Sequence, residues 1–358
     1  MSTMRDVAKQ AGVSAMTVSR VLNDPGRVHP STRDRVLAAM ASLRYVPSQA
    51  APQAALTRSR TIALVVTDLT NPFFTQIARG VESMARRFGY GLILHNTAED
   101  PDREWESLVS IREARVDGVI WVPCGDVSNV SARILIEAQV PTVLVDRIIP
   151  GVPSFDAVIS DNRTGARVIV SQLLANGSCA VATVMSNTVT SVVRDRFLGL
   201  QDALAEHHVP WDEQAVVYCD AIQPAEGLWS TIEAKVPRAS AVFAWNQIAA
   251  AALFREMQEG IQVPSELMIA TFGNPDPYGI TPGYFIVAQQ DPFRMGMDSA
   301  KQLLDRLSHP DDPSKTVRVL PVTVQVGTQA VAPMRVTGGY VHTPSPGWTE
   351  PSGWARKP

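Results

Sequence analysis

The chain has 358 residues, 45% of them hydrophobic, and a formal net charge of −3, so it is long enough for more than one core and too ordinary in composition for a fibrous or low-complexity protein. Its three cysteines, at 124, 179 and 219, are odd in number and lack metal-ligand spacing, which excludes a disulfide scaffold and a zinc ribbon and fits buried thiols in a reducing compartment. The polar start MSTMRDVAKQ lacks the apolar core of a signal peptide, and no apolar run is long enough to cross a bilayer, so the expectation is a soluble cytoplasmic protein with no membrane partner.

The chain opens with TMRDVAKQAGVSAMTVSRVLN, which reads as helix, tight turn, helix. Thr3 is placed to cap the first helix, and Val7, Ala8 and Ala11 give it one apolar face. Gly12 stands where a helix stops in a left-handed residue, and Ser14 can cap the next helix. In that second helix Val18, Val21 and Leu22 face inward, leaving Ala15, Met16, Thr17, Ser19 and Arg20 outside. A third helix starting near Ser31 completes the core with Val28, Val36, Leu37, Met40 and Leu43. Glycine between short amphipathic helices also occurs in bundles that bind nothing. Charge separates the two readings: residues 1–60 hold nine Lys or Arg against three acids, a balance of +6, so the remainder carries −9. A basic head on an acidic body is the footprint of a nucleic-acid binder whose other part has a different task.

Residues 45–60, YVPSQAAPQAALTRSR, lose periodicity and read as a linker. From Thr61 onward, strand-length apolar runs (IALVV, GLILHN, GVIWVP, TVLVD, AVISD, AVATVM, AVVYC, AVFAW, MIATF, YFIVAQ) alternate with helix-length amphipathic stretches. That alternation predicts α/β architecture with parallel, doubly wound sheets, whose ligands bind at the carboxyl ends of the strands. Residues 333–358, rich in Pro, Gly and Trp, read as a disordered tail without the heptads of a coiled coil.

The segments DVAKQAGVSAMTVSRVLN and STRDRVLAAMASLRYVPS resemble the head of the LacI/GalR family of repressors in order and spacing. The resemblance continues in TIALVVTDLTNPFF (61–74), RVDGVIWVP (115–123), VPTVLVDR (140–147), ISDNRTGA (159–166) and DRFLGL (195–200), and spans roughly residues 2–332. It implies a small all-α helix-turn-helix head at 1–47, a hinge at 48–60, and at 61–332 a two-lobed, periplasmic-binding-protein-like body that breaks near Asp161 and returns near Asp291. The implied function is a homodimeric transcriptional regulator, most often a repressor, that binds double-stranded DNA at a palindromic operator and is controlled by a small-molecule effector, sugar-like or another metabolite.

On this reading Arg20 reads guanine, and Ala15 and Met16 contact thymine methyls. Thr17, Ser19, Asn23, Arg33 and Arg35 hold phosphates. The family's hinge presses a leucine into the minor groove, but here Ala54 stands at that position, with Pro52 just before it and Leu56 as the only large apolar residue nearby. Either the hinge is shortened or Leu56 takes the wedge role. Effector candidates follow strand ends: Asn71, Phe73 and Phe74, then Asp146, Asp161, Trp245 and Asn246, with Arg196 as the guanidinium that the family turns toward its ligand. The bland alternatives are a helix cap with core phenylalanines at 71–74, and an Arg196 ion pair with Asp195 or Asp161. Two departures stand in the second lobe, Gln247 and Gly273 where the family carries aspartates that grip sugar hydroxyls. The effector is then less hydroxyl-rich than a simple sugar, or the cleft is degenerate and regulation is ligand-independent. No GxSxG, HExxH, GxxxxGKS or CxxC motif is present, so neither an enzyme nor a cofactor is expected. A transport binding protein would share the body but not the head.

Overall fold

The computed structural model describes residues 4–23, 28–43, 59–152, 155–175, 180–220, 226–237, 239–258, 267–273, 285–326 and 329–330. Thr3, Pro52, Ala54, Leu56, Cys179, the side chains of Leu22 and Asn23, and the 333–358 tail lie outside these residues. The chain divides into two compact units, residues 1–58 and 59–358.

The first unit contains α1 (Met4–Ala11), α2 (Ala15–Asn23) and α3 (Pro30–Ser42). Gly12 adopts φ +64°, and the turn it makes lets the Val13 N–H donate to the Ala8 carbonyl at 3.0 Å and the Gly12 N–H donate to Lys9 at 3.4 Å. These two bonds satisfy the carbonyls left over at the end of α1. Ser14 then caps α2, its Oγ accepting from the Thr17 N–H at 3.1 Å, an arrangement worth about 1 kcal/mol. Val7, Ala8, Ala11, Val18, Val21, Val36 and Ala39 form the core, with Val28, Met40 and Leu43 packed against it. Leu37 departs from expectation, with 48% of its surface exposed. The inward stripe of α3 runs through 36, 39, 40 and 43, the spacing of one helical face, and Leu37 lies one residue, about 100°, off it.

The second unit runs β1 (Thr61–Val66), α4 (Pro72–Arg87), β2 (Gly91–Asn96), α5 (Pro101–Glu113), β3 (Gly118–Trp121), α6 (Asn129–Glu137), β4 (Thr142–Val145) and β5 (Asp156–Ser160). It continues through α7 (Asn162–Ala175), β6 (Val181–Ser186), α8 (Ser191–Glu206), β7 (Val216–Cys219), α9 (Leu228–Lys235), β8 (Ala241–Ala244), α10 (Gln247–Gln258), β9 (Met268–Phe272) and β10 (Phe285–Gln289). It closes with α11 (Pro292–Ser308), β11 (Val317–Leu320), β12 (Thr323–Val326) and β13 (Gln329–Ala330). Three helices begin with the same device: Asn71, Asp100 and Asp291 cap α4, α5 and α11, each followed by a proline whose missing N–H costs nothing in the first turn.

Two sheets result, ordered β11-β5-β4-β3-β1-β2 and β13-β12-β10-β9-β8-β6-β7. The first is parallel throughout, and the second is parallel except where β12 runs antiparallel to β10 and β13. The α/β doubly wound class expected from the alternating pattern is therefore the observed one. Strands β1, β3, β4 and β5 are buried on both faces, which is why they read as unbroken apolar runs rather than alternating ones. Among the described residues the chain crosses between sheets three times: after β5 at Asp161, after β10 at Gln290, and after β11 at Pro321. Helix α11 lies along α4, where Gly80 backs onto the Phe293 carbonyl and Gly296 onto that of Ile77, so the two backbones meet with no side chain between them. The crossovers bring the carboxyl ends of both sheets' strands to face one cleft.

Candidate nucleic-acid interface and ligand cleft

Helix α2 buries Val18 and Val21 and turns the opposite side outward. Ala15 and Arg20 are exposed, and Met16 is 67% exposed, an unusual state for a large apolar side chain with no described partner to cover it. Thr17 and Ser19 are half-buried, and the Thr17 hydroxyl sits 2.9 Å from that of Ser14. On α3, Arg33 lies 3.8 Å from the Asp34 carboxylate and Arg35 is exposed. The first turn of α2 thus offers two apolar groups and the last turn one guanidinium, all turned away from the core of the head.

In the second unit, the cleft between the lobes is narrow, enclosing a cavity of about 50 Å³. Seven of the eight effector candidates line it: Asn71, Phe73, Phe74, Asp146, Arg196, Trp245 and Asn246. Asp161 does not. It stands at the first crossover, where its carboxylate accepts from the Thr164 N–H at 3.2 Å and starts α7. The rule that sites form at strand ends holds for β4 and β8 but not for β5, whose end is used to change lobes.

The aromatic candidates are less free than the sequence implied. Phe74 belongs to the first lobe's core and Trp245 to the second's, at 4% and 5% exposure. Phe73 is half-buried and meets Phe74 edge-on, with ring centroids 5.2 Å apart. Asn71 combines both of its readings, because it caps α4 through the Phe73 N–H at 3.0 Å and also lines the cleft.

Arg196 is buried and held by protein on every nitrogen. Nε donates to Asn162 at 2.9 Å, Nη1 to the Trp245 carbonyl at 2.5 Å and Nη2 to Gln290 at 3.2 Å. Its guanidinium also lies 3.8 Å from the centre of the Phe272 ring. Burial pulls its pKa down, and the nearby Asp146 carboxylate partly offsets that. The direct ion pair with Asp161 is excluded by the position of Asp161. Across the cleft, Arg147 makes a two-pronged contact with Glu99, at 2.7 and 2.6 Å, and its Nη1 also donates to the carbonyls of Pro123 and Cys124.

Asp146 lies between these guanidiniums. It is 5% exposed, adopts φ +69°, and places Oδ2 3.6 Å from Arg147 Nε, while Oδ1 has no hydrogen-bond partner. Burial raises its pKa, with Arg147 and then Arg196 pulling the other way. A non-glycine residue in the left-handed region carrying a buried, unpartnered carboxylate oxygen is a costly arrangement, and such costs concentrate at functional sites.

Glu99 and Gln290 carry no distinguishing signal in the sequence, being polar residues shortly after strands like many others. Gln247 and Gly273 looked like two independent losses but meet in space. Gln247 Nε2 donates across the cleft to Asn71 Oδ1 at 2.7 Å. Gly273 has φ +73°, and a Cβ there would stand 2.5 Å from Gln247 Oε1. A side chain at 273 would push on the glutamine's terminal amide, so the two departures are direct neighbours in space. Two further contacts join the lobes: Arg194 to Asp126 at 2.5 Å, and the Ile148 N–H to Ser191 Oγ at 3.0 Å.

Among the described residues no group of His, Cys, Asp and Glu could hold a metal ion, and no helix is long and apolar enough to cross a membrane. Cys124 and Cys219 are free and buried, and burial pushes both thiols up, that of Cys219 to about 11, so neither is a ready nucleophile.

The profile of bacterial regulatory proteins of the lacI family matches residues 3–48, and that of periplasmic binding proteins and the sugar-binding domain of the LacI family matches residues 59–273. The ribose operon repressor of Bacillus subtilis is 34% identical over 85% of this chain and 91% of its own length. Among solved structures, a LacI family transcriptional regulator from Silicibacter pomeroyi superposes with a TM-score of 0.77 at 25% identity, covering 91% of this chain and 98% of its own. A LacI family regulator from Enterococcus faecium with bound ribose superposes with a TM-score of 0.65 at 26% identity, covering 77% of this chain and all of its own. The chain belongs to the LacI family and is a DNA-binding transcriptional regulator, not an enzyme.

Proposed function

We propose that the protein is a homodimeric repressor whose two heads read the half-sites of a palindromic operator and whose interlobe cleft binds a small-molecule effector. The observation that carries the reading is the outward face of α2, where Ala15, Met16 and Arg20 are exposed while Val18 and Val21 hold the helix in place. Arg20 has the fork of donors that matches guanine O6 and N7, and Ala15 and Met16 suit thymine methyls. Thr17, Ser19, Asn23, Arg33 and Arg35 are assigned to phosphates, which fix register without reading sequence. A two-fold dimer imposes two-fold symmetry on its site.

Support for a dimer comes from β2, the edge strand of the first sheet, which leaves Ile93 and Leu94 39% and 41% exposed, and from Trp105 on the following helix at 43%. Apolar residues on an open edge strand invite pairing with another copy. Effector binding is supported by the convergence of seven candidate residues on the interlobe cleft and by the unpartnered oxygen of Asp146. The names of the relatives, a ribose operon repressor and a ribose complex, support a sugar-like ligand. The Gln247 to Asn71 bond favours a second reading, in which the body is held closed by its own side chains and regulation is ligand-independent.

Selection of bound duplexes from a random pool, repeated with candidate metabolites, tests the proposal. A two-fold symmetric sequence should emerge, with its enrichment changed by one compound. Enrichment indifferent to every metabolite would favour the second reading, and an unenriched pool would defeat both.

A further inference from the structure

We propose that Asp117 is a positioning residue for operator recognition, an inference that rests on the reading of the operator as two half-sites. Its carboxylate fixes the direction in which the chain leaves the body toward the head, and so sets the half-site spacing that the dimer accepts. Asp117 is half-buried just ahead of β3, and its carboxylate receives three donors from two consecutive residues just ahead of β1. Oδ1 accepts from the Ser59 N–H at 2.7 Å and from the Ser59 hydroxyl at 2.8 Å, and Oδ2 accepts from the Arg60 N–H at 3.1 Å. The Asp117 backbone N–H donates in turn to the Thr61 carbonyl at 2.8 Å. These are the first residues of the body, since the boundary between the two units falls between Arg58 and Ser59.

The start of β2 secures the same point from the other side. The Gly91 N–H donates to the Arg60 carbonyl at 2.8 Å. The Arg60 guanidinium reaches the Phe88 carbonyl at 3.4 Å and lies 5.5 Å from the centre of the buried Tyr90 ring. Arg60 itself adopts φ +53°, a left-handed conformation that is costly for a non-glycine residue and persists only where the surroundings impose it. Strand pairing of β1 begins only at Thr61, so without the carboxylate residues 59 and 60 would be far freer to swing. Hydrogen bonds to an ionised carboxylate are roughly twice as strong as neutral ones, which singles out Asp117 among the contacts that hold the turn. The amino ends of β1, β2 and β3 meet at this clamp. Their carboxyl ends lead to Asn71 and Glu99, which line the cleft, and to the Pro123 carbonyl that accepts from Arg147. Three paired strands therefore connect the cleft end of the sheet to the point where the linker begins.

Fluorescence anisotropy on the full chain tests the inference, with native protein, Asp117→Ala and Ser59→Ala titrated onto the selected operator and onto duplexes carrying one or two base pairs inserted between its half-sites. Each inserted pair shifts one half-site by roughly 3.4 Å and turns it by about 35°, so the native dimer should lose at least about tenfold per pair. Asp117→Ala should bind the original spacing at least about threefold more weakly and should narrow the insertion penalty at least about threefold, because a looser linker lowers effective concentration and tolerates altered geometry. Ser59→Ala, which removes one of the three donors, should fall between the two, and it decides the question alone if Asp117→Ala does not fold. A body that is merely destabilised would weaken every spacing by the same factor, so an insertion penalty unmoved by the substitutions overturns the inference while leaving the two half-sites standing. A native chain indifferent to insertion overturns the two-half-site reading, and this inference with it.

Discussion

Gln247 Nε2 and Asn71 Oδ1, 2.7 Å apart, tie the two lobes together across the cleft, and the backbone of Gly273 at φ +73° is shaped to admit that glutamine. The coupling has a measurable signature. Gly273→Ala places a methyl against Gln247 Oε1 and strains the backbone, and should cost about 2–4 kcal/mol in urea unfolding. Gln247→Ala alone removes one interlobe hydrogen bond and should cost about 1 kcal/mol. The double variant should be more stable than the sum of the two by about 1 kcal/mol or more, since the collision is gone and only the strain remains. Additive losses would show that the two positions act independently.

Glu104 supplies a pH-dependent prediction. It is fully buried, its Oε2 accepts from Trp121 Nε1 at 3.1 Å and from the Cys124 N–H at 2.7 Å, and Oε1 has no hydrogen-bond partner. Burial raises its pKa, with the Cys124 N–H first and then the side chains of Ser128, Cys124 and Trp121 pulling the other way. The folded chain therefore holds this proton at pH values where the unfolded chain has released it, and stability falls as pH rises from the ordinary carboxylate range through the raised folded value. Glu104→Gln keeps an acceptor for both donors and removes the ionisation, so its stability relative to the native chain should improve between pH 5 and pH 8. Glu104→Ala strands both donors and should lose about 2–4 kcal/mol at either pH. An equal difference between native and Gln variant at both pH values would contradict the assignment.

The open edge of the first sheet makes a prediction about assembly. Leu94→Asp replaces a 41% exposed apolar residue on β2 with a charge and leaves the first lobe's core untouched. Sedimentation should show a shift from dimer to monomer at micromolar concentration, and operator affinity should fall by at least about tenfold because the second half-site contact is lost. A variant that remains dimeric would place the interface elsewhere.

Much of this was legible in the residues because it is written locally. The stop at Gly12, the helix cap at Asn71 and the two-sided burial of the parallel strands are all properties of a few adjacent positions. What was not legible depends on which elements become neighbours. Leu37 reads as core from its residue type, and only its angle from the 36, 39, 40, 43 stripe turns it outward. Asp161 carries the same strand-end signature as Asp146, yet it starts a helix at a crossover while Asp146 enters the cleft. Gln247 and Gly273 are 26 positions apart and touch only because β8 and β9 are adjacent, so their mutual fit has no local trace.

Sequence-specific reading by α2 is the central claim, and fluorescence anisotropy tests it most directly, with native chain and Arg20→Ala titrated onto the selected operator and onto a scrambled duplex at one fixed salt concentration. The native chain should prefer the operator by about a thousandfold or more, and Arg20→Ala should lose about 1–3 kcal/mol on the operator while its affinity for the scrambled duplex barely changes. Equal losses on both duplexes would make Arg20 a phosphate contact, and equal native affinity for both would contradict the account of the head as a reader of sequence.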